Sequence, residues 1–235
     1  MSRLGYDIVR ADPGNSTHLQ RAKITTSGAI TVVLDVGANA GQWARRLRAE
    51  GYRGRIVSFE PLGEAFEELS RCGASDSGWI TRRVALGDMD GQAQINVARN
   101  SCSSSLLPML ERHLKSSPES EYLGTEPVTT ARLDSLRPDL LRSDDRAYLK
   151  LDVQGLELQV LLGADQTLEQ VIAVEVELSL VPLYEGQALM PELVEHLAQR
   201  GFNLVALERA FSDPHTGQLL QLDGVFARRE LTRTP

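Results

Sequence analysis

The sequence predicts an α/β fold built on a mostly parallel sheet, and three observations support this prediction. Apolar runs rich in β-branched residues alternate with amphipathic helical patterns, which is typical of a parallel sheet covered by helices. Acidic residues stand at the ends of several of these runs, where open α/β sheets bind ligands. The last two strand patterns, 202–207 and 220–228, flank a polar turn and predict a closing antiparallel hairpin.

The first predicted strand and helix surround a glycine turn. The strand covers 31–36 and the helix 42–50. Gly37 allows the backbone to turn sharply and to come close to a ligand, and Gly41 stands just before the helix N-terminus. Asp35 lies near the carboxyl end of the strand. We therefore expect this turn to belong to a binding site.

The second predicted strand ends in an acid. It covers 55–59 and is followed by Glu60 and by a helical pattern over 63–71. Glu60 lies 23 residues after Gly37, about the spacing at which a carboxylate accepts hydrogen bonds from both hydroxyls of a ribose. The two strand ends together predict a site for a cofactor that contains a nucleoside.

The glycine turn also discriminates between nucleoside cofactors. Asn39 and Gln42 occupy the second and third glycine positions of the dinucleotide pattern G-x-G-x-x-G. A side chain then stands where the backbone should approach a pyrophosphate. S-adenosylmethionine has a ribose, an ammonium and a sulfonium but no phosphate, and Asp35 suits such a cationic ligand. The alternative is an ordinary glycine turn in a doubly wound domain.

The third strand pattern, 80–86, ends in Ala85 and Leu86. Apolar side chains at this point suit the face of an adenine ring. Asp88 would accept a hydrogen bond from the exocyclic amine of that ring, or it is a turn residue before Asp90–Gly91, which is a strong hairpin signal. Both interpretations stay open.

A serine-rich segment, 100–108, follows the next strand pattern, 92–98, and is called the serine loop below. We interpret 100–125 as an insertion that forms a lid, with a short amphipathic helix over 109–115. Its serines would donate to a ligand carboxylate or to a sugar hydroxyl, although a serine run is usually a solvated loop. His113 is a candidate base, and a position on the surface of the helix is the alternative that we favour.

The later strands add acids to the same edge of the sheet. Asp152 closes the strand predicted over 147–152 and stands in the same row as Asp35 and Glu60. A helix is predicted over 156–162 immediately after it. We therefore expect Asp152 to face the site.

Two acids lie inside the next predicted strand, 171–178. Alternation places Glu175 and Glu177 on one face of the sheet. This is unusual for a central strand, because burial of a charge is costly without a partner. A helix predicted over 191–200 precedes the closing hairpin.

Four motifs, taken together, resemble the FkbM family of S-adenosylmethionine-dependent methyltransferases over about residues 32–228. They are, in chain order, Asp35–Gln42, Ser58–Pro61, Lys150–Glu157 and Leu178–Gly186. The resemblance implies a class I methyltransferase fold, a Rossmann-like three-layer α/β sandwich with a mostly parallel seven-stranded sheet and a C-terminal antiparallel hairpin. It also implies O-methylation, often of sugar hydroxyls in glycolipids, polysaccharides or natural products, with the serine loop near cofactor and acceptor.

The candidate site residues follow from these patterns. Predicted contacts of S-adenosylmethionine are Asp35, Gly37, Asn39, Gly41, Glu60, Ala85, Asp88 and Ser104. A sugar hydroxyl is a weak acid, so methyl transfer to it needs a base or a metal. The candidate catalytic carboxylates are Asp152, Glu157 and Glu177. Asp152 is expected to be the base or to hold a divalent cation such as magnesium. For Glu157 the alternative is that it only braces the loop before its helix.

Length and composition limit the remaining possibilities. The 235 residues suit one methyltransferase domain over 30–229 with an N-terminal cap over 1–29. The net charge of −7 is spread along the chain without a basic block, so nucleic acid is not an expected partner. Cys72 and Cys102 are expected to be reduced thiols.

The same sequence sets expectations for membrane association and partners. No apolar run approaches the ~18 residues of a transmembrane helix, and the N-terminus has no signal-peptide core. We therefore expect a cytoplasmic protein, and the family resemblance implies a small-molecule or glycolipid acceptor. The serine loop, the 183–186 segment with Tyr184 and the turn of the closing hairpin are the expected acceptor region, and the oligomeric state stays open.

Two other functions also stay open. One is an NAD-dependent sugar oxidoreductase or epimerase, which Asn39 and Gln42 disfavour. The other is a non-catalytic module that binds the cofactor or scaffolds a biosynthetic complex.

Overall fold

The structure is a computed structural model that describes residues 17–232. The predicted N-terminal cap, 1–29, therefore lies partly outside the described residues, and so does the side chain of His18. Within this part the chain forms ten strands and eight α-helices. The strands are β1 (Val32–Val36), β2 (Arg55–Phe59), β3 (Trp79–Arg82), β4 (Ala85–Leu86), β5 (Gly91–Ala98), β6 (Tyr122–Ala131), β7 (Ala147–Leu151), β8 (Val171–Ser179), β9 (Phe202–Ser212) and β10 (Leu219–Arg228). The helices are α1 (Thr17–Ser27), α2 (Gln42–Ala49), α3 (Gly63–Gly73), α4 (Glu111–Ser116), α5 (Leu133–Leu140), α6 (Glu157–Leu162), α7 (Met190–Gln199) and α8 (Arg229–Thr232).

Seven strands form the main sheet in the order β3-β2-β1-β7-β8-β10-β9. The first five of these run parallel to one another, and β10 is antiparallel to both β8 and β9. This arrangement confirms the predicted mostly parallel sheet and its closing hairpin. The order reverses at β1, so the carboxyl ends of β1, β2 and β7 meet at a topological switch point, where α/β folds bind ligands.

Helices cover both faces of the main sheet, which makes the fold a three-layer sandwich. On one face, Val33 and Tyr148 of the sheet pack with Ile24 of α1 and Leu47 of α2. On the other face, apolar strand residues pack with side chains from three helices, namely Leu133 of α5, Leu161 of α6 and Leu193 of α7. Because the central parallel strands β1 and β7 are buried on both faces, their sequences are nearly continuous apolar runs.

The strand predicted over 80–86 is wrong as a single element. β3 ends at Arg82 in the main sheet, and β4 begins at Ala85 and pairs with β6 instead. Arg82 and Arg83 are exposed and interrupt the apolar run, and Arg83 forms an ion pair of 2.6 Å with Glu126 on β6. The chain therefore crosses to a second, three-stranded sheet with the order β4-β6-β5.

The predicted insertion connects β5 to β6 and packs beside the segment that follows β8. The N–H of Leu110 donates to the carbonyl of Leu183, and the N–H of Glu185 donates to the carbonyl of Pro108. His113 of α4 is buried against Tyr184 and Phe211, with ring centroids 5.1 and 5.6 Å away, so the expectation of a surface histidine is wrong. Its apolar neighbours come from distant parts of the chain, which the sequence pattern of one helix does not reveal.

Among the helices of residues 17–232, none is long and apolar enough to cross a membrane.

Candidate functional site

A cavity of about 440 Å³ opens above the carboxyl ends of β1, β2 and β7. Its volume falls in the range of small-molecule sites. Six of the predicted site residues line it: Gly37, Asn39, Glu60, Ala85, Ser104 and Asp152. Five others stand outside its lining: Asp35, Gly41, Asp88, Glu157 and Glu177.

Gly37 is required by a close approach of two backbone segments. Its φ is +74°, and a Cβ there would lie 1.8 Å from the carbonyl oxygen of Asp152. No side chain fits at this distance, so glycine lets the turn after β1 contact the end of β7 directly. Gly41 also has a positive φ, +80°, at the N-cap of α2 and packs against Leu69 and Trp79.

Glu60 is held by the two loops that flank it. Its Oε2 accepts a hydrogen bond of 2.8 Å from the N–H of Asn39, and its Oε1 accepts one of 2.9 Å from the N–H of Leu62. Asn39 makes this contact from a left-handed backbone with φ of +46°, which asparagine tolerates better than most residues. Burial raises the pKa of Glu60 to about 7 despite these two donors.

Lys150 stands beneath the cavity and is not among the residues predicted from the sequence. Its Nζ lies 3.3 Å from Oδ2 of Asp152 and 3.6 Å from Oδ1 of Asp35, and it donates to the carbonyl of Gly37. Burial alone would lower the pKa of Lys150, but the carboxylates of Asp152 and Asp35 outweigh burial and raise it. A lysine inside the otherwise apolar run 147–151 is the feature of the sequence that could have indicated a buried, paired cation.

Asp35 supports the site from behind. It is fully buried, accepts a hydrogen bond of 3.0 Å from Ser58 and faces the ammonium of Lys150. Burial raises its pKa, and the charge of Lys150 opposes this shift. Asp35 therefore acts through Lys150 and the turn at Gly37 rather than at the cavity surface.

Asp152 is the candidate catalytic carboxylate that lines the cavity, and its side chain is 42% exposed. Lys150 contacts its Oδ2, and Nε2 of Gln154 donates to its Oδ1 at 2.8 Å. A carboxylate with one donor on each oxygen keeps free lone pairs that can accept a further proton. Asp152 is thus exposed and oriented at the same time.

Glu157 and Glu177 are placed differently. Oε1 of Glu157 accepts from the N–H groups of Val153 and Gly155, so this buried carboxylate braces the loop after β7. Burial raises its pKa to about 7. Glu177 accepts a hydrogen bond of 2.6 Å from Gln221, and burial together with neighbouring carboxylates raises its pKa well above the usual range.

The buried carboxylate of Glu175 is paired with a cation. Arg21 of α1 donates to both of its oxygens, at 2.6 and 2.7 Å, and Tyr148 donates to it as well. Trp43, which lines the cavity, donates to the same carboxylate at 3.3 Å. Because Arg21 precedes Glu175 by 154 residues, the sequence pattern does not reveal this pairing.

The serine loop contributes both walls and supports. Ser101, Cys102, Ser104 and Leu106 line the cavity. Nδ2 of Asn39 donates to Ser101, which links the loop to the glycine turn. The hydroxyl of Ser104 accepts a hydrogen bond from the N–H of Ala98, so its oxygen is already used to fix the loop.

One end of the cavity is apolar. Leu62, Val84, Ala85, Leu86 and Ile95 line it there. Asp88 is exposed and stands outside the lining. Asp90 accepts hydrogen bonds of 2.7 Å from the N–H of Arg132 and the hydroxyl of Ser135, which joins this turn to the start of α5. The hairpin signalled by Asp90–Gly91 does not form, because β4 and β5 each pair with β6 rather than with one another.

Tyr184 does not offer a stacking face to a sugar. It is fully buried, and its hydroxyl donates to Oε1 of Gln154 at 2.7 Å. Its ring packs instead against His113 of the insertion, with ring centroids 5.1 Å apart.

The carboxylates do not assemble into a metal site. Among the described residues, no group of three or more His, Cys, Asp or Glu side chains converges to hold a metal ion. The candidate carboxylates are engaged by Lys150, by amides or by backbone N–H groups. This donor set does not fit the divalent cation considered for Asp152.

Comparisons with known proteins agree with this geometry. The family profile described as Methyltransferase FkbM domain matches residues 35–204. The 2-O-methyltransferase NoeI of Sinorhizobium fredii (strain NBRC 101917 / NGR234) is 29% identical over 186 residues, which cover 74% of this chain and 73% of that protein.

Two solved structures also match. An S-adenosylmethionine-dependent methyltransferase from Mesorhizobium loti is 10% identical with a TM-score of 0.50, and the match covers 91% of this chain and 99% of that one. TehB from Haemophilus influenzae is 9% identical with a TM-score of 0.48 over 90% of this chain. The match covers 61% of TehB, so this chain spans less than two thirds of that protein. The match to the Mesorhizobium loti protein and the strand order show that the architecture is that of class I methyltransferases.

Proposed function

This chain belongs to the FkbM methyltransferase family, and we propose that it is an S-adenosylmethionine-dependent O-methyltransferase acting on a sugar hydroxyl of a glycolipid, polysaccharide or natural product. The observation that carries this proposal is the placement of Glu60 and Asp152 on the two sides of the β1 turn, in one cavity. One carboxylate can accept hydrogen bonds from a ribose, and the other can accept the proton of an acceptor hydroxyl.

The residues of the cavity fit the cofactor. The buried carboxylate of Glu60 would accept hydrogen bonds from the ribose hydroxyls. The apolar part of the cavity lined by Ala85 and Leu86 would hold the adenine. Gly37 and Asn39 form the turn beside the methionine part, and Asp35 supports this turn through Lys150, which donates to the carbonyl of Gly37. When bound, S-adenosylmethionine supplies an electrophilic methyl group on sulfur.

Asp152 is the residue that we assign as the base. An acceptor hydroxyl beside Asp152 would pass its proton to the carboxylate while its oxygen bonds to the methyl carbon and the bond from that carbon to sulfur breaks. The ammonium of Lys150 fixes the carboxylate from one side and Gln154 from the other, so the base is preoriented for an in-line displacement. Glu157 braces the loop that carries this pair.

The serine loop is proposed to close the acceptor side as a lid. Ser101, Cys102 and Ser104 already line the cavity. The rest of the 100–125 insertion, including His113, packs on Tyr184. The oxygen acceptor is supported by the 2-O-methyltransferase NoeI. The sugar is the acceptor class that the family resemblance implies.

The test is transfer of labelled methyl groups from S-adenosylmethionine to a panel of acceptors. The panel contains glycosides, a glycolipid, a phenol and an amine, and product formation is read by mass spectrometry. We expect an O-methylated glycoside or glycolipid, and loss of about 100-fold or more in Asp152→Asn with unchanged affinity for S-adenosylhomocysteine. Methylation of the amine or phenol alone, or full activity in Asp152→Asn, would overturn the proposal.

A further inference from the structure

Gln154 has a backbone that side chains rarely adopt. Its φ is +54°, and it is followed by Gly155 with φ of +102°. Asparagine is tolerated in this region because its short side chain bonds locally, whereas the longer side chain of glutamine has no such advantage. Strained positions of this kind persist where the surrounding contacts determine them, and they concentrate at functional sites.

The contacts of the Gln154 side chain offset the strain of its positive φ. Nε2 donates to Oδ1 of Asp152 at 2.8 Å and to Oε2 of Glu177 at 3.3 Å, while Oε1 accepts from the hydroxyl of Tyr184 at 2.7 Å. Only a neutral amide donates toward both acids and accepts from the phenol. A carboxylate at the same position would repel Asp152.

The backbone of Gln154 is fixed as firmly as its side chain. Its carbonyl accepts a hydrogen bond of 2.7 Å from Ser105, a buried residue of the serine loop. The N–H groups of the residues on either side donate to Glu157. One residue therefore joins Asp152, the serine loop and the segment after β8.

We propose that Gln154 is a positioning residue that aims the carboxylate of Asp152 at the acceptor hydroxyl. This inference rests on the proposed function, in which Asp152 is the base. Gln154 acts on the free Oδ1 side of Asp152, opposite the oxygen that Lys150 contacts. Loss of the amide leaves Asp152 charged and exposed but free to rotate away from the reacting hydroxyl.

Charged and titratable groups from every neighbouring element face this amide or its partner Asp152. They are Asp35 on β1, Cys102 after β5, Lys150 on β7, Glu157 on α6, Glu177 on β8, Tyr184 after β8 and Asp223 on β10. Most of these groups are acids, so a carboxylate placed at position 154 binds a proton more readily than in water. When protonated, it donates to Asp152 as the amide does.

The experiment compares Gln154→Glu, Gln154→Met and wild type at pH 6 and pH 8 with the acceptor identified above. We expect Gln154→Met to lose about 100-fold in kcat at both pH values, with the Kd for S-adenosylhomocysteine and the KM for the acceptor changed less than about threefold. The kcat of Gln154→Glu should fall by as much as that of Gln154→Met at pH 8. At pH 6 the ratio of its kcat to that of wild type should be at least about tenfold higher than at pH 8.

Gln221→Glu is the matched control. Gln221 donates to Glu177, as Gln154 does, but does not contact Asp152. The Gln221→Glu variant therefore introduces the same negative charge beside Glu177 without changing a contact of Asp152. We expect its kcat, relative to wild type, not to depend on pH in this way. Wild-type kcat in Gln154→Glu, an equal loss at both pH values, or the same pH-dependent loss in Gln221→Glu would overturn the role of Gln154. An inactive wild-type protein would instead overturn the proposed function, and the positioning role with it.

Discussion

Nζ of Lys150 lies 3.6 Å from Oδ1 of Asp35, and both side chains are buried beneath the glycine turn. The two residues pair directly across β1 and β7. A buried ion pair of this kind contributes little net stability, but removal of one partner leaves an uncompensated charge. The pair therefore holds Lys150 in place under Asp152.

This relationship predicts the outcome of a double-mutant cycle. Lys150→Met should lower the free energy of unfolding by about 3–5 kcal/mol, because Asp35 would lose the cation that compensates it. Asp35→Asn in the Lys150→Met background should recover at least about 1 kcal/mol of that loss. Urea denaturation of the four proteins measures both values. Strict additivity of the two single changes would show that the pair is not coupled.

Gly37 offers a second prediction. Gly37→Ala should lower the free energy of unfolding by more than about 2 kcal/mol and weaken S-adenosylhomocysteine binding at least about tenfold, because its Cβ would collide with the carbonyl of Asp152 and φ is positive. Gly87→Ala is the control, since a Cβ there meets nothing within 4 Å. Thermal denaturation and calorimetry report the two effects. Equal behaviour of the two variants would refute the close-contact role of Gly37.

The pKa of Glu157 predicts how stability depends on pH. The native state raises this pKa from 4.5 to about 7, so the folded protein holds a proton that the unfolded chain releases. The contribution of Glu157 is therefore present below pH ~4.5 and is lost as the pH rises through about 7. Glu157→Gln, which keeps an acceptor for Val153 and Gly155, should remove this loss, on the order of 2–3 kcal/mol.

The measurement is urea denaturation of wild type and Glu157→Gln between pH 5 and pH 8. The difference between the two proteins isolates Glu157 from His113, whose burial lowers its pKa to about 4 and which acts in the opposite direction. The variant should gain stability relative to wild type as the pH rises. A difference that does not change with pH would contradict the assignment of a proton to buried Glu157.

Much of the fold was predictable because local patterns dominate it. The apolar runs of β1, β2, β7 and β8 are buried on both faces, and the glycines at 37 and 41 have the positive φ values that the turn needs. The strand over 80–86 could not be predicted as two elements, since Ala85 and Leu86 leave the main sheet to pair with Thr130 and Ala131 of β6, which lie far along the chain.

The site was predictable in part for the same reason. Acids at strand ends are visible in the sequence, and Glu60 and Asp152 line the cavity as expected. Lys150, Trp43 and Gln154 depend on contacts across the sheet or between loops, so their place in the site emerges only from the fold. Glu175 needed a partner, but the sequence alone does not single out Arg21.

Calorimetric titration shows directly whether Glu60 binds the ribose of S-adenosylmethionine. Wild-type protein is titrated with S-adenosylmethionine, S-adenosylhomocysteine and NAD, alongside Glu60→Gln and the exposed control Glu64→Gln. We predict micromolar binding of the two sulfur ligands only, weakened about 10- to 100-fold in Glu60→Gln through loss of charge-assisted hydrogen bonds and unchanged in Glu64→Gln. Binding of NAD without the sulfur ligands, or equal affinity in Glu60→Gln, would contradict this assignment.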